Sequence, residues 1–358
     1  MAGSTAGVES IRRSFEGMGR TGRAISGLGT VAVVAALLAF LVAPRFTAFP
    51  LVAFGVVVVY GWAADQAATA KFLTFLMTVS TILILGLITL YLVAKSIPAF
   101  KLMGPDILFR TEEPMWSASS ESPVYSLVPA VWGTLMTTFI ATLIAAPLGV
   151  AGALFISELA PGWAREILKP SVETLAGIPS VVYGLIGYTL LNDYLMNELA
   201  LPTYGSLFAV GSVIGLMALP TVVSVAEDAI SSVPSPMKSG SLALGATDWQ
   251  TVKSVTLPAS MSGISAAVLL GIGRAIGETM AATIIIGHAM ELPDPIYDVF
   301  GNTETLTGLI ASQYGNASSM QMSALFAAGV VLFVTVLVLS VVSQVIERRM
   351  EQKLGGNE

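Results

Sequence analysis

Two charged residues, Arg274 and Glu278, lie four residues apart inside a long apolar run, residues 257–287. This spacing places them on one face of a helix, and each would cost about 2.5–3.5 kcal/mol at the centre of a bilayer if it faced lipid. Arginine offers a planar fork of N–H donors for an oxyanion. Glutamate can bind the guanidinium or accept a hydrogen bond from an oxyanion that carries a proton. The pair therefore predicts an anion pathway or, alternatively, a buried ion pair that only fixes helix register.

A polar segment of about thirty residues, 228–258, interrupts two apolar runs. Connections between helices are usually much shorter, so an amphipathic insert of this length predicts a surface that docks on a partner. Gly245 predicts the end of a short helix, and Pro258 predicts the first turn of the next one, where a missing N–H is harmless. The alternative is an amphipathic connector that lies on the membrane surface.

The composition is that of a membrane protein. Hydrophobic residues make up 54% of the chain, charged residues make up 11%, and the mean hydropathy is +0.80. Several apolar runs are long enough to cross a hydrocarbon core of about 30 Å. We therefore predict an all-α, polytopic bundle of about eight transmembrane helices, near residues 28–43, 46–63, 72–94, 126–158, 168–191, 205–226, 257–287 and 320–346.

The distribution of positive charge predicts the orientation. If segment 228–258 is cytoplasmic, both termini are cytoplasmic too, and twelve of the seventeen Lys and Arg residues lie on that side against four outside. Such an excess is expected of inner loops. The predicted organisation is a basic tail at 1–27, a transmembrane hairpin at 28–63, a helix and outer loop at 64–125, a core at 126–346 and an inner tail at 347–358.

Several classes of chemistry are not expected of this chain. It has no cysteine, so thiolate metal sites and cysteine nucleophiles are excluded, and its single histidine, His288, has no cluster of further ligands around it in sequence. No glycine-rich loop of the Gly-x-x-x-x-Gly-Lys-Ser/Thr type is present. We expect no metal, no cofactor and no enzymatic activity, and any ATP chemistry belongs to a partner.

Segment 228–258 resembles the signature of ABC importer permeases. That signature is a Glu-Ala-Ala triplet, three residues, a glycine, nine residues, and an aliphatic residue followed by any residue and Leu-Pro. The matching residues here are Gly245, Ala246, Val255, Leu257 and Pro258. The triplet itself is replaced by Ser239, Gly240 and Ser241, which removes the acidic residue.

From about residue 72 to 346 the chain is similar to phosphate-uptake permeases of the PstC type. The motifs that carry the similarity are GPDILF at 104–109, GTLMTT at 133–138, APLGVAGALFISELAP at 146–161, ETLAGIPSVVYGLIG at 173–187, LALGAT at 242–247 and GIGRAIGETMAATIIIG at 271–287. The hairpin at 28–63 lies outside it. The resemblance implies a MetI-like core, a phosphate pathway past Arg274 and Glu278, a second permease of the PstA type, an ATPase dimer of the PstB type and an extracytoplasmic phosphate-binding protein.

Three alternatives remain open at this point. The chain could be a permease for another oxyanion such as sulfate or molybdate; Glu278 disfavours sulfate, which has no proton to donate to a carboxylate. It could be an ion-driven secondary carrier, which would be expected to show internal repeats. It could also be a membrane scaffold or a phosphate sensor.

Overall fold

The computed structural model describes residues 19–119, 122–201 and 204–354, with backbone alone at residue 343 and residues 346–354. The chain divides into two compact units, Met1–Leu90 and Tyr91–Glu358. Within these described ranges, seven helices are long and apolar enough to cross a membrane, and a bent helix pair would make an eighth span. The prediction of an all-α bundle of about eight spans is confirmed. Most of the predicted basic tail, residues 1–18, and residues 355–358 of the inner tail lie outside the described residues.

The N-terminal unit is a helical hairpin followed by the start of a long helix. It contains α1 (Arg20–Val42), a 3₁₀ turn (Pro44–Phe46), α2 (Ala48–Ala64) and the first part of α3 (Gln66–Met103). The first span was expected to begin near residue 28, but α1 already begins at Arg20. Glycines make the close contacts: a Cβ on Gly29 would stand 2.5 Å from the ring of Phe72. Small residues at such crossings let membrane helices approach closely.

The second unit continues with short elements and then the core. After α3 come α4 (Asp106–Phe109), an antiparallel ribbon of β1 (Trp116–Ser117) and β2 (Val124–Tyr125), α5 (Val128–Leu154) with a π-turn (Phe155–Leu159), and α6 (Gly162–Ala176). Next are α7 (Ser180–Ile186), a π-turn (Gly187–Asn192), α8 (Asp193–Leu199) and α9 (Leu207–Ser231). The chain ends with α10 (Ser235–Ala243), α11 (Asp248–Thr251), a π-turn (Val252–Thr256), α12 (Leu257–Gly277), α13 (Met280–Ile285), α14 (Leu306–Gln313), a 3₁₀ turn (Tyr314–Asn316) and α15 (Ser319–Leu354).

One buried cluster of this unit lies where α5, α9 and α12 meet. Ala145, Val222 and Ala267 are buried together there. Close approach again depends on glycine, since a Cβ on Gly211 of α9 would stand 2.7 Å from Cβ of Ile140 on α5. These glycines therefore serve helix packing.

Two predicted spans contain a bend or a break that was not expected. The span expected at 168–191 is not straight, because α6 and the helical segment from Ser180 to Leu199 meet at 88°. Pro179 explains the bend, since proline disfavours helical backbone at the preceding residue and donates no hydrogen bond. The span expected at 257–287 begins earlier, at Asp248, and α12 ends at Gly277 before α13 restarts at Met280.

Candidate functional site

Arg274 lies three residues before the end of α12 and is half-buried. Its Nη1 donates to Oγ1 of Thr221 on α9, at 3.0 Å. The residue also lines a groove of about 440 Å³ between α12 and α15, where its other neighbours include Leu270, Leu339 and Ser340. The walls of the groove are mostly apolar, so the guanidinium is its strongest polar feature.

Glu278 does not lie on the same helix face as Arg274, and this part of the prediction is wrong. The helix ends at Gly277, and Glu278 has extended backbone with φ −67° and ψ 123°. Its Oε1 accepts a hydrogen bond from the backbone N–H of Ala281 at 3.1 Å, which caps the start of α13. The spacing rule of four residues holds only within one continuous helix. Arg274 and Glu278 form no ion pair, because each side chain bonds to a different partner. The alternative of an ion pair that fixes helix register therefore does not apply.

A loop at residues 287–305, here called the outer segment, connects α13 to α14, and the start of α14 supports Glu278 from one side. Oγ1 of Thr307, at the start of α14, donates to the carbonyl oxygen of Glu278 at 2.9 Å. The segment lies tightly on α5, because the backbone N–H of Leu306 donates to Oγ1 of Thr134 at 2.9 Å. The position of Glu278 therefore depends on the start of α14, which directly follows the outer segment.

Glu304, which the sequence analysis did not single out, is fully buried in the outer segment with a side-chain exposure of 0%. Its Oε2 lies 2.7 Å from Nδ1 of His288, and its Oε1 accepts from the backbone N–H of Thr305 at 2.8 Å. The hydrogen bond to Glu304 raises the pKa of His288 above its ordinary value, with burial acting in the opposite direction. His288 is therefore the partner of a buried carboxylate rather than a simple interfacial residue. An isolated glutamate in a polar loop carries no sequence signal for such burial.

Gly245 ends α10 in the manner predicted. Its φ is +90°, which favours glycine. The backbone N–H of Gly245 donates to the carbonyl of Leu242 at 3.0 Å, and that of Ala246 donates to the carbonyl of Ser241 at 3.2 Å. This pair of bonds is a Schellman motif, which satisfies the last carbonyls of a helix.

After Gly245 the chain returns to helix through a capping box. Oγ1 of Thr247 accepts from the backbone N–H of Gln250 at 3.3 Å, and Oε1 of Gln250 accepts from the backbone N–H of Thr247 at 2.8 Å. Helix α11 then runs through the π-turn at Val252–Thr256, which includes Val255, into α12 without a break. Pro258 stands in the first turn of α12, as predicted, but it follows helical backbone rather than restarting a helix.

The surface of α10 and its flanking turns is apolar and exposed. Leu244 is 92% exposed, and Met237, Leu242 and Trp249 are exposed as well. The triplet residues Ser239 and Gly240 also face outward, while Oγ of Ser241 accepts from Oγ1 of Thr251 at 3.1 Å and joins α10 to α11. A folded protruding surface of this kind suits a protein partner better than a solvated connector.

Charged side chains tie this end of the bundle together, and their partners were not predicted. Nζ of Lys238 on α10 lies 2.6 Å from Oε1 of Glu158 in the π-turn after α5. Nζ of Lys169 on α6 lies 2.5 Å from Oε2 of the buried Glu227 on α9. These pairs join residues that are far apart in sequence, so only the tertiary structure brings them together. Across the described ranges, no group of three or more histidine and carboxylate side chains is placed to hold a metal ion.

The sequence matches known transport proteins over most of its length. Residues 147–352, more than half of the chain, match the family described as binding-protein-dependent transport system inner membrane component. A probable ABC transporter permease protein of Bacillus subtilis, YqgH, is 39% identical over 69% of this chain and 80% of its own length. The phosphate transport system permease protein PstC of Haemophilus influenzae is 34% identical over 79% of this chain and 93% of its own length. A probable PstC of Methanocaldococcus jannaschii is 34% identical over 75% and 88%.

The fold is also that of a known transporter. A chain in the crystal structure of a bacterial alginate ABC transporter, in complex with its pentasaccharide-bound periplasmic protein, superposes with a TM-score of 0.50 over 81% of this chain and 98% of that chain, at 18% identity. Members of the matched family are transport subunits rather than enzymes; they span the inner membrane several times and work with an ATPase and a substrate-binding protein. The chain therefore belongs to the inner-membrane components of binding-protein-dependent transport systems, the permease subunits of ABC importers.

Proposed function

We propose that this permease forms the phosphate pathway of an ATP-driven phosphate importer. Relatives named as phosphate permeases support the substrate, and Arg274 carries the proposal within the structure. Its bond to Thr221 uses one of the five N–H donors of a guanidinium. Within the described ranges this is the only hydrogen bond of that side chain, so its other donors remain for an oxyanion in the groove.

Glu278 would supply the preference for phosphate over sulfate. Hydrogenphosphate carries a proton that a carboxylate can accept as a hydrogen bond, whereas sulfate presents only negative oxygens to it. The carboxylate of Glu278 accepts from the backbone N–H of Ala281 at the start of α13, and the backbone carbonyl of Glu278 accepts from Thr307. An amide oxygen could keep that cap, so Glu278→Gln removes the charge while retaining the acceptor, and we expect it to weaken discrimination against sulfate.

We place segment 228–258 and both termini in the cytoplasm, since twelve of the seventeen basic residues then lie inside. The partners would be a second permease of the PstA type, an ATPase dimer of the PstB type that contacts this chain at α10, and a phosphate-binding protein at the outer face. No cofactor is proposed for this chain. The exposed apolar surface around Leu244 supports ATPase docking there.

Coupling would pass along one continuous helix. The helical stretch from Asp248 to Gly277 has 30 residues, begins directly after the turn that ends α10, and carries Arg274 near its far end. At a rise of about 1.5 Å per residue it is about 45 Å long. Movement of the ATPases would therefore tilt the same helix that holds the proposed phosphate ligand.

Radiolabelled phosphate uptake into vesicles, with the whole complex reconstituted, tests this function. Arg274→Lys and Arg274→Gln should each lower uptake about tenfold or more at equal amounts of assembled complex, because the donor fork or the charge is lost. Arg45→Gln, on the connection between α1 and α2, is the matched control and should transport normally. Wild-type uptake by Arg274→Gln would remove this residue from the pathway. Stronger competition by sulfate or molybdate than by unlabelled phosphate would assign a different oxyanion.

A further inference from the structure

Segment 228–258 lacks the acidic residue of the family's Glu-Ala-Ala triplet. A charged residue with a defined partner, Lys238, stands immediately before the triplet position. Lys238 precedes Ser239 and is 23% exposed, and its ammonium lies 2.6 Å from Oε1 of Glu158, which is 12% exposed. The bond joins α10 to the end of α5 across 80 residues of sequence. Because both side chains are largely removed from solvent, this pair is screened less than a surface pair.

The acceptor side of this bond is rigidly supported. Oγ of Ser157 donates to Oε1 of Glu158 at 3.2 Å. The π-turn that carries both residues is held by Arg165, whose Nε donates to the carbonyl of Ile156 at 2.8 Å and whose Nη2 donates to the carbonyl of Ser157. Glu158 is therefore a fixed point at the end of α5, and α10 is attached to it.

The attachment leads into the centre of the bundle. Helix α5 packs on α9 through Gly149, where a Cβ would stand 2.6 Å from Val222, and Gly271 of α12 packs against the same valine at the same distance. A displacement of α10 that pulls on Glu158 thus reaches α9 and α12, which carry Thr221 and Arg274.

We propose that Lys238 is a positioning residue that links α10 to α5 through Glu158 and so provides a second route from the ATPase to the transport site. The first route is the continuous helix from α11 to α12. This inference deepens the coupling part of the proposed function and does not depend on which oxyanion is carried.

The coupling ratio, measured as substrate transported per ATP hydrolysed by the complete reconstituted complex, tests the link. Lys238→Met keeps most of the unbranched side chain but removes the ammonium. We expect this ratio to fall about fivefold or more with ATP hydrolysis retained, which is the lower end of usual coupling between sites. Lys238→Arg should keep a ratio near that of the wild type. Lys253→Met removes an exposed charge from the same segment and serves as the matched control.

The charge exchange Lys238→Glu with Glu158→Lys distinguishes a coupling role from a purely structural one. Recovery of the coupling ratio by the exchange, after loss in each single variant, supports the link. A wild-type ratio in Lys238→Met overturns it. If Lys238→Met fails to assemble, the exchange decides: assembly without recovery of the ratio shows a structural tie only. Failure of the substrate proposal would be seen separately. In that case the wild-type complex would transport a different oxyanion, and its ratio of substrate transported per ATP hydrolysed could still be measured.

Discussion

The end of the bundle that carries α10 is here called the docking end, because the ATPase is proposed to dock there. The docking end and the outer segment each shield a carboxylate from solvent, but they pair it with different cations. At the docking end Glu158 faces the ammonium of Lys238, and in the outer segment Glu304 faces the imidazole of His288. A lysine stays charged across the physiological pH range, whereas a histidine titrates within it. The ion pair at the docking end therefore stays charged at physiological pH, whereas the stabilising free energy of the pair in the outer segment depends on pH.

Glycine also has opposite uses in the two regions. Gly245, at the docking end, has φ +90° but open space around it, so only its backbone conformation requires glycine. Gly133, which supports the outer segment from α5, lies directly against the carbonyl oxygen of Glu304, where an added Cβ would overlap that atom. At Gly245 the backbone conformation disfavours other residues, and at Gly133 the lack of space for a Cβ excludes them.

The largest effect is expected at Gly133. Gly133→Ala forces Cβ into the backbone of Glu304, and we expect a loss of about 3 kcal/mol or more in stability, since neither backbone can move cheaply. Gly152→Ala on the same helix is the control, because its nearest neighbour would be Val223 at an ordinary 3.4 Å. Thermal unfolding of the purified complex measures both. Equal melting temperatures for the two variants would contradict the tight packing of the outer segment on α5.

A smaller loss of stability is expected at Gly245. Gly245→Val places a β-branched residue at positive φ, which costs about 1–3 kcal/mol in local strain. We expect normal membrane insertion with loss of ATP-driven uptake, because the Schellman turn that orients α10 is disturbed. Gly240→Ala, with open space and no positive φ, should transport normally. Normal uptake by correctly inserted Gly245→Val would show that this turn is not needed for coupling.

The smallest effect is a pH dependence that belongs to the outer segment alone. Because Glu304 raises the pKa of His288 from 6.5, its stabilising contribution is complete below about pH 6.5 and is lost as pH rises through the raised pKa of the folded state. We expect at most about 1 kcal/mol, since the side chain is 39% exposed and solvent screens the pair. His288→Gln should flatten the stability profile between pH 5.5 and 8.5, whereas Lys238→Met should leave its slope unchanged. A pH slope that survives His288→Gln would refute this assignment.

The helix breaks show why part of the site could be predicted and part could not. The turn at Gly245 was predicted because a glycine between two helical patterns carries its own conformational preference. The break between Gly277 and Met280 was not, because no proline marks it and the apolar pattern continues through it. The spacing of Arg274 and Glu278 therefore suggested one helix face, and the structure separated the two side chains.

Composition and motif spacing alone determined that this is a multi-span membrane protein with the motifs of a permease, and they predicted a helix-ending turn at Gly245 and a charged residue, Arg274, within a span. These features are local: hydrophobic length, turn chemistry and charge can each be read within a window of the chain. Only the tertiary structure decided which charges meet, because Glu158 and Lys238 are 80 residues apart and the burial of Glu304 depends on a glycine on another helix. Partners distant in sequence are set by helix packing, which no local pattern encodes.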